Sequence, residues 1–319
     1  MASSVPRTAK WRQFLDRTSA ATGLRAEELV DRLQGARASS ARANRLHPDG
    51  RDAIVDRLLG EWPALEPVHG DPDSFLCSDA APYTELIDLA DEGLVYLQNA
   101  SSLLPVMALD PQPGERILDM AAAPGGKAFN IAARMGNEGE LWLNDAARPR
   151  LEKMQRLAGT YHVEVHAFLE HKAQYLDKEI TDTRFDRILV DAQCTGEGRF
   201  DLRRRNALQH WNLSRIETYT HLQTKMLEVA YRLLRPGGRI VYSTCTIAPE
   251  ENEAPIHRIL GRHDDLDVEA LPPSPNDADL IPGLKSWDGH RFDARIQRTG
   301  RVLPGARFEA FYVASLLKR

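Results

Sequence analysis

Residues 116–127 read RILDMAAAPGGK. The apolar pair Ile117 and Leu118 ends on an acid, Asp119. Small residues and Pro124 follow, then Gly125, Gly126 and Lys127, and then a helical pattern over 128–135. Strand, small-residue loop and helix form the unit from which a doubly wound α/β sheet builds a nucleotide site. Glycine lets the backbone approach a ligand where a side chain would block it. The N-terminus of the helix then offers free N–H groups to an anion. The spacing is not G-x-G-x-x-G, and no Ser or Thr follows Lys127, so both the dinucleotide fingerprint and the phosphate loop of NTPases are absent. Taken alone, the stretch also fits a glycine turn that merely joins a strand to a helix.

Downstream the alternation continues. The pattern predicts strands over 140–144, 161–168, 185–190, 239–243 and 308–316, and helices over 148–157, 214–234 and 250–260. Residues 264–288, rich in Pro and Asp, read as a surface loop. Alternating strands and helices imply a mostly parallel sheet. Ligands bind such a sheet outside the carboxyl ends of its strands. Asp119, Asp145, Asp191 and Cys245 all fall at those ends, and Cys194 lies three residues past Asp191.

Upstream, residues 6–33 read as two short helices, with Trp11, Phe14 and Leu15 on one face of the first and Leu24, Leu29, Val30 and Leu33 on the second. A strand at 42–46, a helix at 52–59, weak strands at 65–68 and 74–76 and a strand at 93–98 suggest a small α+β module. The expected division is an N-terminal module over 1–95 and an α/β domain over 96–319.

The 319 residues are 42% hydrophobic and 27% charged, ordinary for a globular chain. No apolar run approaches the roughly 20 residues of a membrane helix, and the N-terminus lacks an apolar signal core. The cysteines, Cys77, Cys194 and Cys245, are odd in number and widely spaced, which argues against a disulfide framework and against a zinc site. A cytoplasmic protein with reduced thiols and no metal is expected. The net charge of −5 does not advertise nucleic-acid binding, but the first sixty residues carry eleven Lys/Arg against seven Asp/Glu, and Arg203, Arg204 and Arg205 are adjacent. Such asymmetry permits a basic groove on an acidic protein.

Two cysteines at strand ends suggest nucleophilic catalysis, since the thiolate is the reactive form and nearby positive charge, here Lys127, lowers a thiol's pKa. Cys77 reads instead as a small buried hydrophobe.

Five stretches carry a family resemblance: GLVYLQNASSLLPVMAL (93–109), LDMAAAPGGKA (118–128), DAQCTGEG (191–198), LRPGGRIVYSTCT (234–246) and APEENE (248–253). The chain resembles the Sun/Nop family of RNA cytosine-C5 methyltransferases over roughly residue 41 to its end. The resemblance implies a doubly wound, seven-stranded, mostly parallel sheet whose last strand, antiparallel, is 308–316. It also implies S-adenosylmethionine as cofactor. By position, Ala121, Ala122, Ala123, Pro124, Gly125, Gly126 and Lys127 correspond to the loop around its methionine part, Asp145 to the acid on the ribose hydroxyls, and Arg150 to the basic residue after it. Cys245 matches the nucleophile that adds to C6 of the target cytosine, and Cys194 the cysteine that helps release product. Asp191 matches the group that hydrogen-bonds the ring, oriented by Lys127.

The partner implied is RNA, ribosomal or transfer, with the target cytosine flipped or single-stranded. Arg42 and Asn44 in the basic N-terminal module, with Arg203, Arg204 and Arg205, are expected to contact it. No room for a further RNA-binding domain is expected after residue 319, and a monomer is expected. Three departures stand out. Gln193 precedes Cys194 where the family has proline, Glu170 stands in for the acid that holds the adenine, and Ala310-Phe311-Tyr312 replaces Gly-Phe-Phe. They leave open a second reading, an RNA-binding or ribosome-assembly factor that has kept the fold and lost catalysis.

Overall fold

The computed structural model describes residues 8–35, 39–77, 83–276 and 278–319. The start of the first expected helix, at Pro6, lies outside them. A nine-stranded sheet organises the chain. Its five parallel strands run in the order Leu234–Thr244, Phe185–Asp191, Arg116–Asp119, Glu140–Asn144, Ala167–Leu169. Both faces of these strands are covered, which is why they read as continuous apolar runs. Ile117, Leu189 and Val241 join one core; Leu118, Ile188, Val190 and Ile240 join the core on the other face. The chain leaves Arg116–Asp119 toward one edge and returns on its other side with Phe185–Asp191. The order therefore reverses between these two strands, where such sheets open a crevice.

Beyond Leu234–Thr244 the sheet continues with Phe311–Lys318, antiparallel, and then Gly300–Val302. These two complete a seven-stranded sheet, and the short strands Leu280–Pro282 and Leu266–Glu269 pair onto them to make nine. The expected surface loop over 264–288 thus carries sheet edge. The third parallel strand is shorter than expected, because Tyr161 ends the preceding helix and donates its hydroxyl to Val95 O at 3.0 Å.

The N-terminal region divides in two. Strands Glu66–Val68, Asp71–Leu76, Ser39–Ala43 and Val95–Asn99 form a separate antiparallel sheet around Ala41, Phe75 and Val95, with helix Arg51–Glu61 supplying Ile54 and Leu58. Its last strand crosses the expected boundary at 95. Helix Tyr83–Asp91 was not foreseen. Helices Ala9–Thr22 and Ala26–Gln34 do not pack on this sheet. Trp11, Phe14, Leu29 and Leu33 instead cluster with Leu202, Leu208, Trp211 and Ile216, over the chain that follows Cys194. Among the described residues no helix is long and apolar enough to cross a membrane.

Candidate active site

The site forms where the strand order reverses. Gly125, with φ +117°, turns the chain into helix Gly126–Met135, whose first turn places Lys127 over the crevice. Lys127 Nζ donates to Asp191 Oδ2 at 2.8 Å, and Ser243 Oγ donates to the other oxygen at 2.7 Å. Asp191 and Ser243 are register partners on adjacent strands, so the sheet itself sets this contact. Burial works against the charge on Lys127, and Asp191 more than restores it. Asp119, 1% exposed, is the third acid of the cluster; burial and the Asp191 charge push its carboxyl up to about 7.

Cys194 and Cys245 meet just beyond. Their sulfurs are 3.3 Å apart. The hydrogen bond between them sends the two thiols in opposite directions: Cys194 is pushed well up and Cys245 is lowered, with Arg199 and Lys127 also favouring a Cys245 thiolate. The close approach depends on Gly198. Its N–H donates to Cys245 O at 3.0 Å, and a Cβ there would stand 2.1 Å from Ala310 O.

Two cavities share this cluster as a wall. The larger, about 710 Å³, is lined by Asn144, Asp145, Arg150, Lys172, Gln174 and Cys194. The smaller, about 520 Å³, is lined by Tyr96, Gln98, Asn99, Ser102, Glu309 and Phe311. Ala121, Ala123, Pro124, Lys127, Asp191, Arg199 and Cys245 border both. Asp145 accepts from Ala147 N at 2.9 Å and pairs with Arg150 at 3.1 Å, and Arg150 also donates to Ala123 O. Asn144 ties the neighbouring loops together by donating to Met120 O and His171 O at 2.8 and 2.9 Å.

Most residues expected from the sequence therefore converge here. Ala122 and Gly126 line the smaller cavity, while Gly125 lines neither and serves as the helix turn. Three placements differ. Glu170 is exposed and lines neither cavity; Lys172 and Gln174 stand at that wall instead. Arg42 and Asn44, expected on RNA, are buried at 3% and 5% exposure. Arg42 lies 5.6 Å over the Tyr96 ring, and the Asn44 amide donates to Gly93 O and Tyr161 O. Arg203, Arg204 and Arg205 are exposed, with the first two paired to Asp201. Gln193 is also exposed, and its carbonyl accepts from Gln223 Nε2 at 2.9 Å. Cys77 is buried, and burial pushes its thiol up to about 11.

Arg199, Ser243 and Phe311 were not singled out from the sequence. Ser243 lies inside the marked stretch 234–246, two residues before Cys245, and Arg199 directly follows the stretch that ends on Gly198. Phe311 holds its ring 5.4 Å from Lys127 Nζ.

The profile of a family described as "16S rRNA methyltransferase RsmB/F" matches residues 106–317. A tRNA (cytosine(49)-C(5))-methyltransferase of Pyrococcus abyssi is 33% identical over 268 residues, 83% of each chain. The tRNA (cytosine(72)-C(5))-methyltransferase NSUN6 of Mus musculus is 41% identical over 170 residues, 50% of this chain but 35% of that protein. A solved methyltransferase homologue from Pyrococcus horikoshii superposes with a TM-score of 0.82 at 30% identity, covering 97% of this chain and 95% of that one.

Proposed function

This chain belongs to the 16S rRNA methyltransferase RsmB/F family and is an RNA cytosine-C5 methyltransferase; on that premise we propose that it methylates C5 of a cytosine in transfer or ribosomal RNA, in the cytoplasm, through a covalent adduct on Cys245. The observation that carries this reading is the sulfur pair: two thiols 3.3 Å apart, shifted in opposite directions, beside the Lys127–Asp191 pair.

The larger cavity suits S-adenosylmethionine by its donor set. Asp145 is a buried carboxylate at a strand end, where ribose hydroxyls are held in such sheets. The loop 121–127 and the start of its helix offer backbone N–H groups to a carboxylate. When bound, the cofactor supplies an electrophilic methyl group on sulfonium. The smaller cavity takes the target nucleotide, which must leave any helix to reach it.

The thiolate of Cys245 adds to C6 of the cytosine; Asp191, held by Lys127 and Ser243, orients the ring by accepting from its amino group, and the Lys127 charge offsets the negative charge that spreads into the ring. C5 thereby gains the electron density that methylation requires. Water then takes the C5 proton, the C5–H electron pair re-forms the C5–C6 double bond, and the Cys245 sulfur leaves C6 as thiolate, with Cys194 assisting release.

The test is transfer of labelled methyl from S-adenosylmethionine to unmethylated total RNA. The intact protein is expected to label RNA and Cys245→Ala to lose at least ~10³-fold in rate, as removal of an essential nucleophile does. Sizing the labelled RNA identifies the substrate class. If Cys194→Ala abolishes label while Cys245→Ala keeps it, the assignment of nucleophile is wrong. No label from any protein, with cofactor still bound, selects the non-catalytic reading.

A further inference from the structure

Cys194 lies in a turn that contains two glycines, Gly196 and Gly198, and its partner sulfur comes from a strand end 51 residues later. The backbone ties the turn down at its ends, where Ala192 N donates to Ser243 O at 2.9 Å and Gly198 N donates to Cys245 O at 3.0 Å. Between those ties the backbone adds bonds from Arg199 N to Gly196 O at 3.0 Å and from Phe200 N to Glu197 O at 3.2 Å, and around Cys194 itself the contacts come from side chains. Thr195 N donates to Glu251 Oε2 at 3.0 Å, and Thr195 Oγ1 also bonds Glu251 Oε1. On the other side of Cys194, Gln223 Nε2 bridges Gln193 O at 2.9 Å and Glu251 Oε2 at 3.0 Å. The same carboxyl group reaches the residue after Cys245, with Thr246 Oγ1 3.5 Å from Glu251 Oε1 and 2.9 Å from Thr195 Oγ1. Glu251 is itself fixed. It is 0% exposed, its N–H donates to Ala248 O at 3.1 Å, and its carbonyl accepts from Tyr242 Oη at 2.5 Å.

We propose that Glu251 is a positioning residue: its buried carboxyl group, with Gln223, clamps the peptides on both sides of Cys194 to the one after Cys245 and so sets the approach of the two sulfurs. The proposal rests on the reading that this pair works together, and it adds a residue that touches neither RNA nor cofactor. It also accounts for Gln193. The turn that a proline would stiffen through its fixed φ is held here by its carbonyl, from Gln223.

Glu251→Met keeps the length of the side chain and removes both oxygens, so that Thr195 N–H, Thr195 Oγ1 and Gln223 Nε2 lose their shared acceptor. The primary measurement is the rate of intramolecular Cys194–Cys245 disulfide formation in the full chain with diamide, which takes up the two hydrogens; it is read by mass after alkylation and needs no catalysis. An approximately tenfold slower closure is expected, the scale of one lost hydrogen bond, while alkylation of Cys245 by iodoacetamide stays within about twofold. In RNA methylation kcat is expected to fall about tenfold with KM for RNA unchanged. Closure within about twofold of the unaltered protein overturns the clamp. Slower closure with unchanged turnover upholds the clamp and overturns the role given to Cys194 in release. If Glu251→Met fails to fold, Thr195→Val, which deletes a single hydroxyl of the same clamp, carries the same expectation.

Discussion

Two buried polar regions flank Lys127, and they are finished differently. Behind the cysteines Glu197 and Glu253 are fully engaged, and Gln223 Oε1 and Glu250 Oε2, left without a hydrogen-bond partner among the described residues, lie outside these two networks. Glu197 accepts from Trp211 Nε1 at 2.6 Å and from Ile247 N at 3.2 Å, and Arg301 forks onto Glu253 with two contacts of 2.6 Å. On the other side, between the small sheet and helix Gly126–Met135, hydrogen-bonding capacity is left over. Arg42 Nε, both amide atoms of Gln98 and Asn130 Nδ2 are buried without a hydrogen-bond partner among the described residues, and Arg134 meets Asp71 only at 3.4 Å. A closed network holds one geometry because every departure orphans a buried group. An open one can be completed by ordered water or by a shift of the elements around it. The cysteine side is thus built to hold the reacting atoms, and the small-sheet side to adjust.

The sharpest way to break this comparison is to cut the closed side. Arg301→Met leaves the Glu253 carboxylate in the interior without its counter-charge, with the Leu284 N–H as its remaining donor, and unfolding in urea is expected to register a loss of about 3–5 kcal/mol. A loss below about 1 kcal/mol would mean that the cysteine side is as forgiving as the other.

An intermediate effect is expected from pH, at Asp119, which lies between the two regions. Its carboxyl titrates near 7 in the fold against an ordinary 3.8, chiefly because of burial. The folded state therefore keeps a proton that the unfolded state releases, and this group's contribution to stability falls as pH rises from about 4 to about 7. Asp119→Asn lacks that loss. Its Tm relative to the unaltered protein is expected to rise by a few degrees between pH 5 and pH 8. Glu251, pushed up to about 8, acts in both proteins and cancels in the difference. A flat difference would place Asp119 in contact with water.

The smallest effect belongs to the open side. Asn130→Leu removes an amide whose nitrogen has no partner, and a change within ~1 kcal/mol in either direction is expected in the same urea experiment. A cost of several kcal/mol would show that bound water already closes this seam.

The parallel strands and the site at their ends were legible because burial on both faces leaves apolar runs that stop on Asp119, Asp145 and Asp191. What the sequence hid depends on contacts far along the chain. Gly300–Val302 has an arginine at its centre and reads as no strand, yet Arg301 is buried because Glu253 awaits it. Arg42 and Asn44 looked like surface because charge and polarity carry no record of burial; their partners, near residues 71, 93, 126 and 161, become neighbours only through the fold. Glu170 directly follows the strand Ala167–Leu169, but its side chain is exposed and the wall passes to Lys172 and Gln174.

The packing of helices Ala9–Thr22 and Ala26–Gln34 on residues 202–216 has a consequence for synthesis. These helices leave the ribosome long before their partners are translated. Trp11, Phe14, Leu29 and Leu33 must therefore stay uncovered while more than half of the chain is made, the condition under which emerging chains recruit chaperones or aggregate. The turn that carries Cys194 gains its cover only when these two helices, made well before it, fold back over it, so a nascent chain acquires this part of its catalytic end late.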